Sequence, residues 1–485
     1  MRKNLIEERL KKLTKLKEAG VNAYPVRTKR SIGINLARQD FIKLAKTNKK
    51  ISLVGRIFSL RDQGGVIFCT IKDETGSIQA VFRKEGTKNF KLYKDTLDRG
   101  DFISVTGILF KTKRGEESLE VKEAQILTKA IKPLPTEWFG IEEAEIRLRQ
   151  RYLDFLMNPE TKDIFYKKDI FWNTFRSEMK EAGFLEVETP VFETIPGGAE
   201  AEPFKTHHNA LDTNFFLRIS PELPLKKLLV GGFEKVFEIG RIFRNEGIDR
   251  EHLQDYTQFE FYWAYSNYEE AMKFVEKLYK IVIKKTVGTL TTTLQGKKIN
   301  WGKRWPKVKY VDLFKKANKL DPVMATKEEL FKKAETLGLK PEKNLGKGRL
   351  IDLIFKKTVR PTLIQPAFLI NPPVEIEPLA KRTDEDPSLV ERFQVVAGGS
   401  ELGKGFSELN DPIDQRKRFE EQMRLRAAGD KEAQLLDEDF LSALEYGMPP
   451  ASGFGVSERL FSVLLDKPIR ETVIFPLMRP EKQSK

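Results

Sequence analysis

The sequence predicts an α+β multidomain chain: a small five-stranded barrel, then a larger half in which strands alternate with helices. Three observations predict it. Between residues 51 and 126, five short apolar runs are separated by turns carrying Gly64-Gly65, Gly76, Gly100 and Gly115. Lys132-Pro133-Leu134-Pro135 then closes this region as a stiff segment. Beyond Glu142 the pattern changes to helical periodicity interleaved with longer strand-like runs.

The elements follow in order. Residues 1–20 hold seven basic residues and three glutamates, with Leu5, Ile6, Leu10, Leu13 and Leu16 at near-helical spacing. That predicts an amphipathic basic helix, and the acids argue against a transit peptide. Such a helix suits either contact with RNA phosphates or packing on its own domain. Residues 1–48 thus read as a basic N-terminal helical extension. Runs 51–60, 66–71, 77–83, 102–109 and 118–126, with a helix near 90–97, suggest an OB-fold over 49–134. A linker is expected at 135–149 and a catalytic half at 150–485. In that region 144–156 and 161–182 read as helices, 183–190 turns from helix into strand, and 312–359 reads as a lysine-rich helical insertion.

Composition narrows the function. Of 485 residues, 86 are Lys or Arg and 71 Asp or Glu, a net charge of +15 that suggests a polyanionic partner, nucleic acid first. No apolar run reaches membrane length. The single Cys69 excludes an intramolecular disulfide or a cysteine-rich metal cluster, fits a cytoplasmic protein, and lies in an apolar run that predicts burial. There is no G-x-x-x-x-G-K-[ST], which excludes a P-loop. The three histidines, His207, His208 and His252, lack the helical spacing of a zinc hydrolase, and His207-His208 reads as a strand-to-loop turn.

Residues 234–265 are the most informative stretch. Runs 236–243 and 256–262 alternate apolar and polar residues around a charged loop, the pattern of an antiparallel hairpin. Phe243-Arg244-Asn245-Glu246 ends the first strand. Glu260 and Tyr262 share one face of the second, because strand side chains alternate. The hairpin therefore offers an arginine for a phosphate, the Tyr256 ring for a base, and a carboxylate with a phenol for an amine.

This hairpin resembles motif 2 of the class II aminoacyl-tRNA synthetases. Residues 183–190, ending in Pro190, resemble motif 1, and Gly453-Phe-Gly-Val-Ser-Glu-Arg459 resembles motif 3. Ile195-Pro-Gly-Gly-Ala, Thr206-His-His-Asn-Ala-Leu-Asp212, Pro221-Glu-Leu, Gly231-Gly-Phe-Glu, Gly405-Phe-Ser-Glu-Leu-Asn-Asp411 and Arg149-Gln-Arg-Tyr-Leu-Asp154 are similar to the lysyl-tRNA synthetases of that class. The resemblance implies an antiparallel-sheet catalytic domain flanked by helices, a homodimer, Mg2+, and a ligase that activates L-lysine with ATP and charges tRNA(Lys).

It also implies roles. Arg244 would bridge the lysine carboxylate and the α-phosphate, an arginine fork suiting both anions. Arg459 and Tyr256 would sandwich the adenine. Glu246 would contact the adenine amino group and His252 the outer phosphates. Glu222 and the Gly198 carbonyl would hold the α-amino group. Glu408 and Tyr262 would hold the ε-ammonium, with Glu260 close by and Phe406 beside them. Glu401 would serve ATP and, with Glu408, the metal. In the barrel, Phe68 would stack on an anticodon base, Arg61 and Gln79 would read base edges, and Glu123 would lie near the central uridine. Core packing is the competing reading for Phe68, and helix capping for Asp411.

The chain departs from the family at three places. Gln394 stands where a second metal-binding Glu is usual, Lys404 where an Asn contacts the substrate carboxylate, and Ser457-Glu458 precede Arg459 in place of Gly and Asp. Three alternatives stand beside this reading: an aspartyl- or asparaginyl-tRNA synthetase, which shares the architecture and toward which Lys404 is a hint; a catalytically silent RNA-binding paralogue, suggested by Gln394 and Lys404; and a protein-lysine ligase, which would lack the OB half that this chain has.

Overall fold

The computed structural model describes residues 2–135, 144–247 and 249–480. Residues 136–143, most of the expected linker, lie outside the described residues. The chain divides into two compact units, residues 1–144 and 145–485.

In the first unit, strands β1 (Ile51–Asp62), β2 (Val66–Lys72), β3 (Ser77–Arg83), β4 (Phe102–Lys111) and β5 (Glu117–Thr128) close a barrel in the order β1-β2-β3-β5-β4. Only β3 and β5 pair in parallel. A helix, Phe90–Thr96, spans the gap between β3 and β4. Alternation decides the core: Ile67, Cys69 and Ile71 point inward and are buried, while Phe68 and Thr70 are half-buried on the outer face. Cys69 is a core residue, as its apolar run predicts.

The N-terminal helix, Arg2–Glu18, belongs to this same unit. Arg9 donates to the carbonyls of Arg99 (2.9 Å), Ala130 (2.9 Å) and Lys132 (3.1 Å). Lys12 pairs with Asp98 at 2.7 Å and Lys15 with Asp95 at 2.6 Å. Of the two readings left open for this helix, packing on its own domain is the one these contacts support.

The second unit is built on an eight-stranded sheet. Its strands are β6 (Leu185–Glu186), β10 (Lys235–Phe243), β11 (Asp255–Ala264), β14 (Lys307–Lys309), β15 (Ala367–Ile370), β16 (Arg392–Ala397), β17 (Ser400–Ser407) and β18 (Ala451–Ser457). The small strands β7 (Phe192–Glu193), β8 (Lys205–His208) and β9 (Thr213–Leu217) form a separate sheet, and β12 (Thr291–Leu294) and β13 (Lys297–Asn300) a hairpin. The main order is β14-β15-β16-β17-β18-β11-β10-β6, antiparallel except at its two ends. The expected hairpin is β10–β11, in unbroken register from Lys235–Trp263 to Phe243–Asp255. Within β10, a Cβ on Gly240 would lie 2.1 Å from the Arg218 guanidinium, which bonds the buried Glu238.

Helices Pro159–Glu181 and Tyr268–Val287 cover one face of the sheet. Phe171, Phe175 and Tyr279 pack there with Phe259, Phe261 and Phe454. An Asn267–Glu270 capping box starts the second helix by satisfying its free amides. The helix expected at 144–156 is two, Ala144–Arg149 and Arg151–Met157, broken at Gln150. The C-terminal part of the expected linker is therefore helical. The insertion folds as helices Tyr310–Asn318, Lys327–Thr336 and Lys347–Thr358. Its core of Phe314, Leu330, Leu350 and Ile354 runs on into Leu369 and Val396 of the sheet.

One charged cluster holds the barrel base. The Lys129 ammonium is fully buried and bonds Asp98 (2.5 Å), Asp101 (2.8 Å) and the Thr96 carbonyl (2.6 Å). Removing one partner of a buried pair costs about 3–5 kcal/mol. Lys129→Met should lower barrel stability by about that amount in denaturant unfolding; a loss under about 1 kcal/mol contradicts this account of the cluster.

Candidate active site

The site is the sheet face opposite the aromatic core. Antiparallel register sets it out in rows, because residues directly opposite share a face. In one row Glu260 of β11, Gly455 of β18, Lys404 of β17 and Gln394 of β16 lie side by side. In the next are Tyr262, Gly453, Phe406 and Arg392. The intervening residues, Phe259, Phe261, Phe454, Val456, Phe393 and Val395, face the core. Glycines at the centre of both rows leave a trough about two strand spacings, or about 10 Å, across. The trough opens into a cavity of about 280 Å3. The glycines are required: a Cβ on Gly453 would lie 2.3 Å from Glu408 Oε1 and 2.5 Å from the Tyr262 ring.

One wall is anionic. Glu260 accepts bonds from Ser220 Oγ (2.9 Å), Tyr262 OH (3.0 Å) and the Gln258 amide. Burial pushes its carboxyl up to about 7; neighbouring Glu222 adds to the rise, and the three bonds only partly oppose it. Glu222 opens the helix Glu222–Val230 and lines the cavity with Gly198, whose backbone backs onto Ser220 and Glu222.

The facing wall is cationic. Lys404 pairs with Glu377 at 2.9 Å, and Arg392 approaches the same carboxylate at 3.5 Å. Burial opposes ionisation of Glu401, but Arg392, Arg459, Lys404 and Lys356 outweigh it and draw its carboxyl down to about 2. Arg459 starts the helix Arg459–Leu464 and reaches the carbonyls of Glu251 and Glu401, each at 3.4 Å.

At the hairpin end, Arg244 lies with its guanidinium 5.8 Å from the Tyr256 ring and its Nε 3.3 Å from the Ile219 carbonyl. Tyr256 is buried with Ile242, Leu253 and Ile469 behind it. Glu246 lines the same end. His252 does too, its Nδ1 held 2.6 Å from Asp249.

The cavity thus gathers Arg244, Glu246, His252, Tyr256, Gly198, Glu222, Glu260, Tyr262, Gln394, Glu401, Lys404, Phe406 and Arg459. Glu408 is the exception. It is not among the cavity-lining residues: its fully buried carboxylate lies over Gly453 on the trough side, beside the Tyr262 ring, with Lys226 2.5 Å from its Oε2. Of the two carboxylates expected to serve the metal, Glu401 is held among cations and Glu408 is paired with Lys226. Among the described residues, no three His, Cys, Asp or Glu group as a metal site.

In the barrel unit the four expected base-reading residues lie on the outside. Arg61 is directly opposite Phe68, and Gln79 opposite Thr70. Phe68 is half-buried and outward, so core packing does not account for it. Gln79 is steadied by Glu116 (2.7 Å) and Ser118 (3.2 Å), and Glu123 is exposed on β5.

Comparison with known proteins agrees with this geometry. The family model of class II tRNA synthetases (D, K and N) matches residues 143–479, and that of the OB-fold nucleic acid binding domain matches 51–131. The chain belongs to the class II tRNA synthetases (D, K and N). It is 44% identical to a lysine–tRNA ligase of Moorella thermoacetica, over 99% of both chains. It is 43% identical to that of Carboxydothermus hydrogenoformans, over 98% of both. With the Thermotoga maritima ligase it shares 42% identity, over 99% of this chain and 97% of the relative.

Several residues of this synthetase's site were missed by sequence reasoning. Arg349, Asp352 and Lys356 line the cavity from the insertion helix Lys347–Thr358. Arg349 pairs with Glu432 (2.8 Å) and Glu200 (3.4 Å), and Lys356 with Asp352 (2.7 Å). A signal existed, since these three polar positions share one helix face while Leu350, Ile351, Ile354 and Phe355 form the buried one. Other residues in the quoted motifs are structural. Glu458 is buried, accepting from Lys168 and the Thr257 amide, each at 2.9 Å. Asp411 caps the helix Pro412–Ala427. His207 and His208 are exposed on β8, outside the cavity.

The raised carboxyl of Glu260 gives a pH signature. A carboxyl whose folded value lies above its unfolded one stabilises the fold below the unfolded value, near 4.5, and loses that contribution as pH rises through about 7. In the ligand-free protein, Glu260→Gln should therefore reduce the stability lost between pH 5 and 8 by an amount on the order of 3 kcal/mol. Identical pH–melting curves for both proteins would count against the assignment.

Proposed function

We propose that the chain is a lysine–tRNA ligase, joining L-lysine to ATP as lysyl-adenylate with release of pyrophosphate and then transferring lysine to the 3′ end of tRNA(Lys). The observation that carries it is the carboxylate wall of Glu222 and Glu260, backed by Glu408 and facing fixed cations across the trough. A buried ammonium needs a hydrogen-bonded anion, and a site built for one rejects side chains that leave the carboxylate unpaired. An aspartate or asparagine substrate would meet the wrong charge there.

The chemistry needs no protein nucleophile. A lysine carboxylate oxygen attacks the α-phosphorus as pyrophosphate leaves, so catalysis is positioning and charge stabilisation. Arg244 is placed to hold both anions together. Tyr256 and Arg459 offer a ring face and a guanidinium to the base. Lys356, Lys404 and His252 supply further positive or donor groups for the phosphates. Mg2+ usually takes one or two carboxylates together with substrate phosphates. Glu401, low in pKa and ionised, fits that need, while Gln394 adds only a neutral oxygen. Arriving with the nucleotide, Mg2+ would neutralise phosphate charge there.

The outer barrel face around Phe68 and Arg61 supports anticodon binding. A homodimer is supported by β6, which ends the sheet, and by Leu185, Val191 and Phe192 exposed near it. No helix among the described residues is long and apolar enough to cross a membrane. The enzyme acts in the cytoplasm, where its RNA substrate is.

ATP–pyrophosphate exchange with each of the twenty amino acids tests the activity. Lysine should support exchange; exchange with aspartate or asparagine in its place refutes the substrate, and none at all points to a silent paralogue. Phe68→Ala should leave lysine-dependent exchange unchanged and weaken tRNA charging by about 1–3 kcal/mol in kcat/KM for tRNA. Unaltered charging would remove Phe68 from the anticodon site.

A further inference from the structure

The amine wall contains a cation of its own. Lys226 is fully buried, with Nζ 2.6 Å from Glu222 Oε1 and 2.5 Å from Glu408 Oε2. Glu222 and Lys226 are one turn apart on the helix Glu222–Val230. Glu408 follows the end of β17, its amide bonded to the Ala451 carbonyl at 2.8 Å. The Phe406 and Phe440 ring centroids lie 5.3 and 5.9 Å from the ammonium and shut out water. Lys226 thus joins a cavity-lining carboxylate to one buried at the floor of the trough, over Gly453.

Burying an ammonium with two carboxylates is a poor route to stability, since apolar residues of similar volume serve as well or better. The arrangement also leaves capacity unused: Glu408 Oε1 is buried over Gly453 on the trough side, with no hydrogen-bond partner among the described residues, and Oε2 has only its ion pair with Lys226. Counting charges gives it a purpose. Glu222, Glu260 and Glu408 carry three potential negative charges, and among the described residues Lys226 is the one cation bonded among them. The excess is two, and free lysine brings two ammoniums. The next charged groups outward are Glu377, shared by Lys404 at 2.9 Å and Arg392 at 3.5 Å, and they belong to the facing wall.

We propose that Lys226 is a positioning residue of the amine pocket: its ammonium fixes Glu222 and Glu408 in place as carboxylates and sets the pocket's charge to match the two ammoniums of lysine. The proposal rests on lysine being the substrate. Burial works against the Lys226 charge, but Glu222 and Glu408 more than compensate and hold its pKa above the ordinary value. Burial pushes the carboxyls of Glu222 and Glu408 up, and Lys226 is the largest influence opposing that rise at each; without this cation both would hold protons more tightly, and lysine would have to displace them.

The test is Lys226→Gln, which retains hydrogen bonding and removes charge. Wild-type exchange with lysine establishes the substrate first; its absence is a failure of that reading alone. Where wild type responds to lysine, the variant should raise the KM for lysine about tenfold or more, with the KM for ATP within about twofold. Its acid limb in kcat/KM for lysine should also move to higher pH. An unchanged lysine KM and pH profile overturns the proposal, as does an equal rise in both KM values. If Lys226→Gln does not fold, the Lys226→Gln/Glu408→Gln protein decides: it loses one charge of each sign and keeps the excess of two. The proposal then expects a lysine KM no higher than that of Glu408→Gln alone, and a KM about tenfold or more above it overturns the proposal.

Discussion

Everything in the catalytic unit depends on the register of four antiparallel strands, β10, β11, β18 and β17. A slip of one residue would exchange the two faces of a strand. Here Phe259 and Phe261 would move into the trough, and Glu260 and Tyr262 into a core of phenylalanines. The aromatic core and the polar site thus enforce one another. Phe454 stacks on Phe393 at 5.7 Å on the core face, and the same pairing sets Gly453 and Gly455 in line on the other. The glycines make the trough, and the strands on either side supply its opposed charges.

That constraint explains what was legible. The hairpin 234–265 declares itself because period-two alternation and functional residues coincide on the same strands. The barrel is equally plain, since its runs are short and separated by glycine. The break at Gln150 was not visible, because helical periodicity continues across it. The N-terminal helix was ambiguous for a physical reason: lysines that pair with Asp95 and Asp98 look the same in sequence as lysines waiting for phosphate.

The site was less legible than the fold wherever a role depends on a partner distant in sequence. Lys226 reads as one of two adjacent lysines in a short helix. Nothing local distinguishes it from Lys227, which pairs with Asp439 and remains partly exposed. Only folding brings Glu408 to one of them and not the other. Glu408 shows the converse. Its motif marks it as a ligand, and its carboxylate lies over Gly453 at the trough floor, but it is paired there with Lys226, so its influence on an amine depends on what Lys226 leaves free. In sequence, residues 312–359 show only a lysine-rich helical insertion. Yet its polar helix face closes the cavity, because the apolar face is anchored on Leu369 and Val396.

The two departures on the facing strands are one structural feature. Gln394 and Lys404, ten residues apart in sequence, are directly opposite in the β16–β17 ladder. A carboxylate at 394 would compete with Glu377 for the Lys404 ammonium; a neutral amide leaves Lys404 to Glu377, at 2.9 Å. This also removes the objection that a lysine in the pocket must repel a cationic substrate. Lys404 is across the glycine row from Glu260, about 10 Å by strand spacing, and its charge is already balanced. At that separation, between a paired cation and an ammonium itself bound to carboxylates, the residual repulsion is small beside the hydrogen bonds the anionic wall provides. What Lys404 retains is a directed positive end on the wall where carboxylate and phosphate oxygens need one. The trough is therefore polarised across its width, with the Glu222 and Glu260 carboxyls on one side and the Lys404 and Arg392 cations on the other, and a zwitterion with an extra ammonium has one favourable orientation within it.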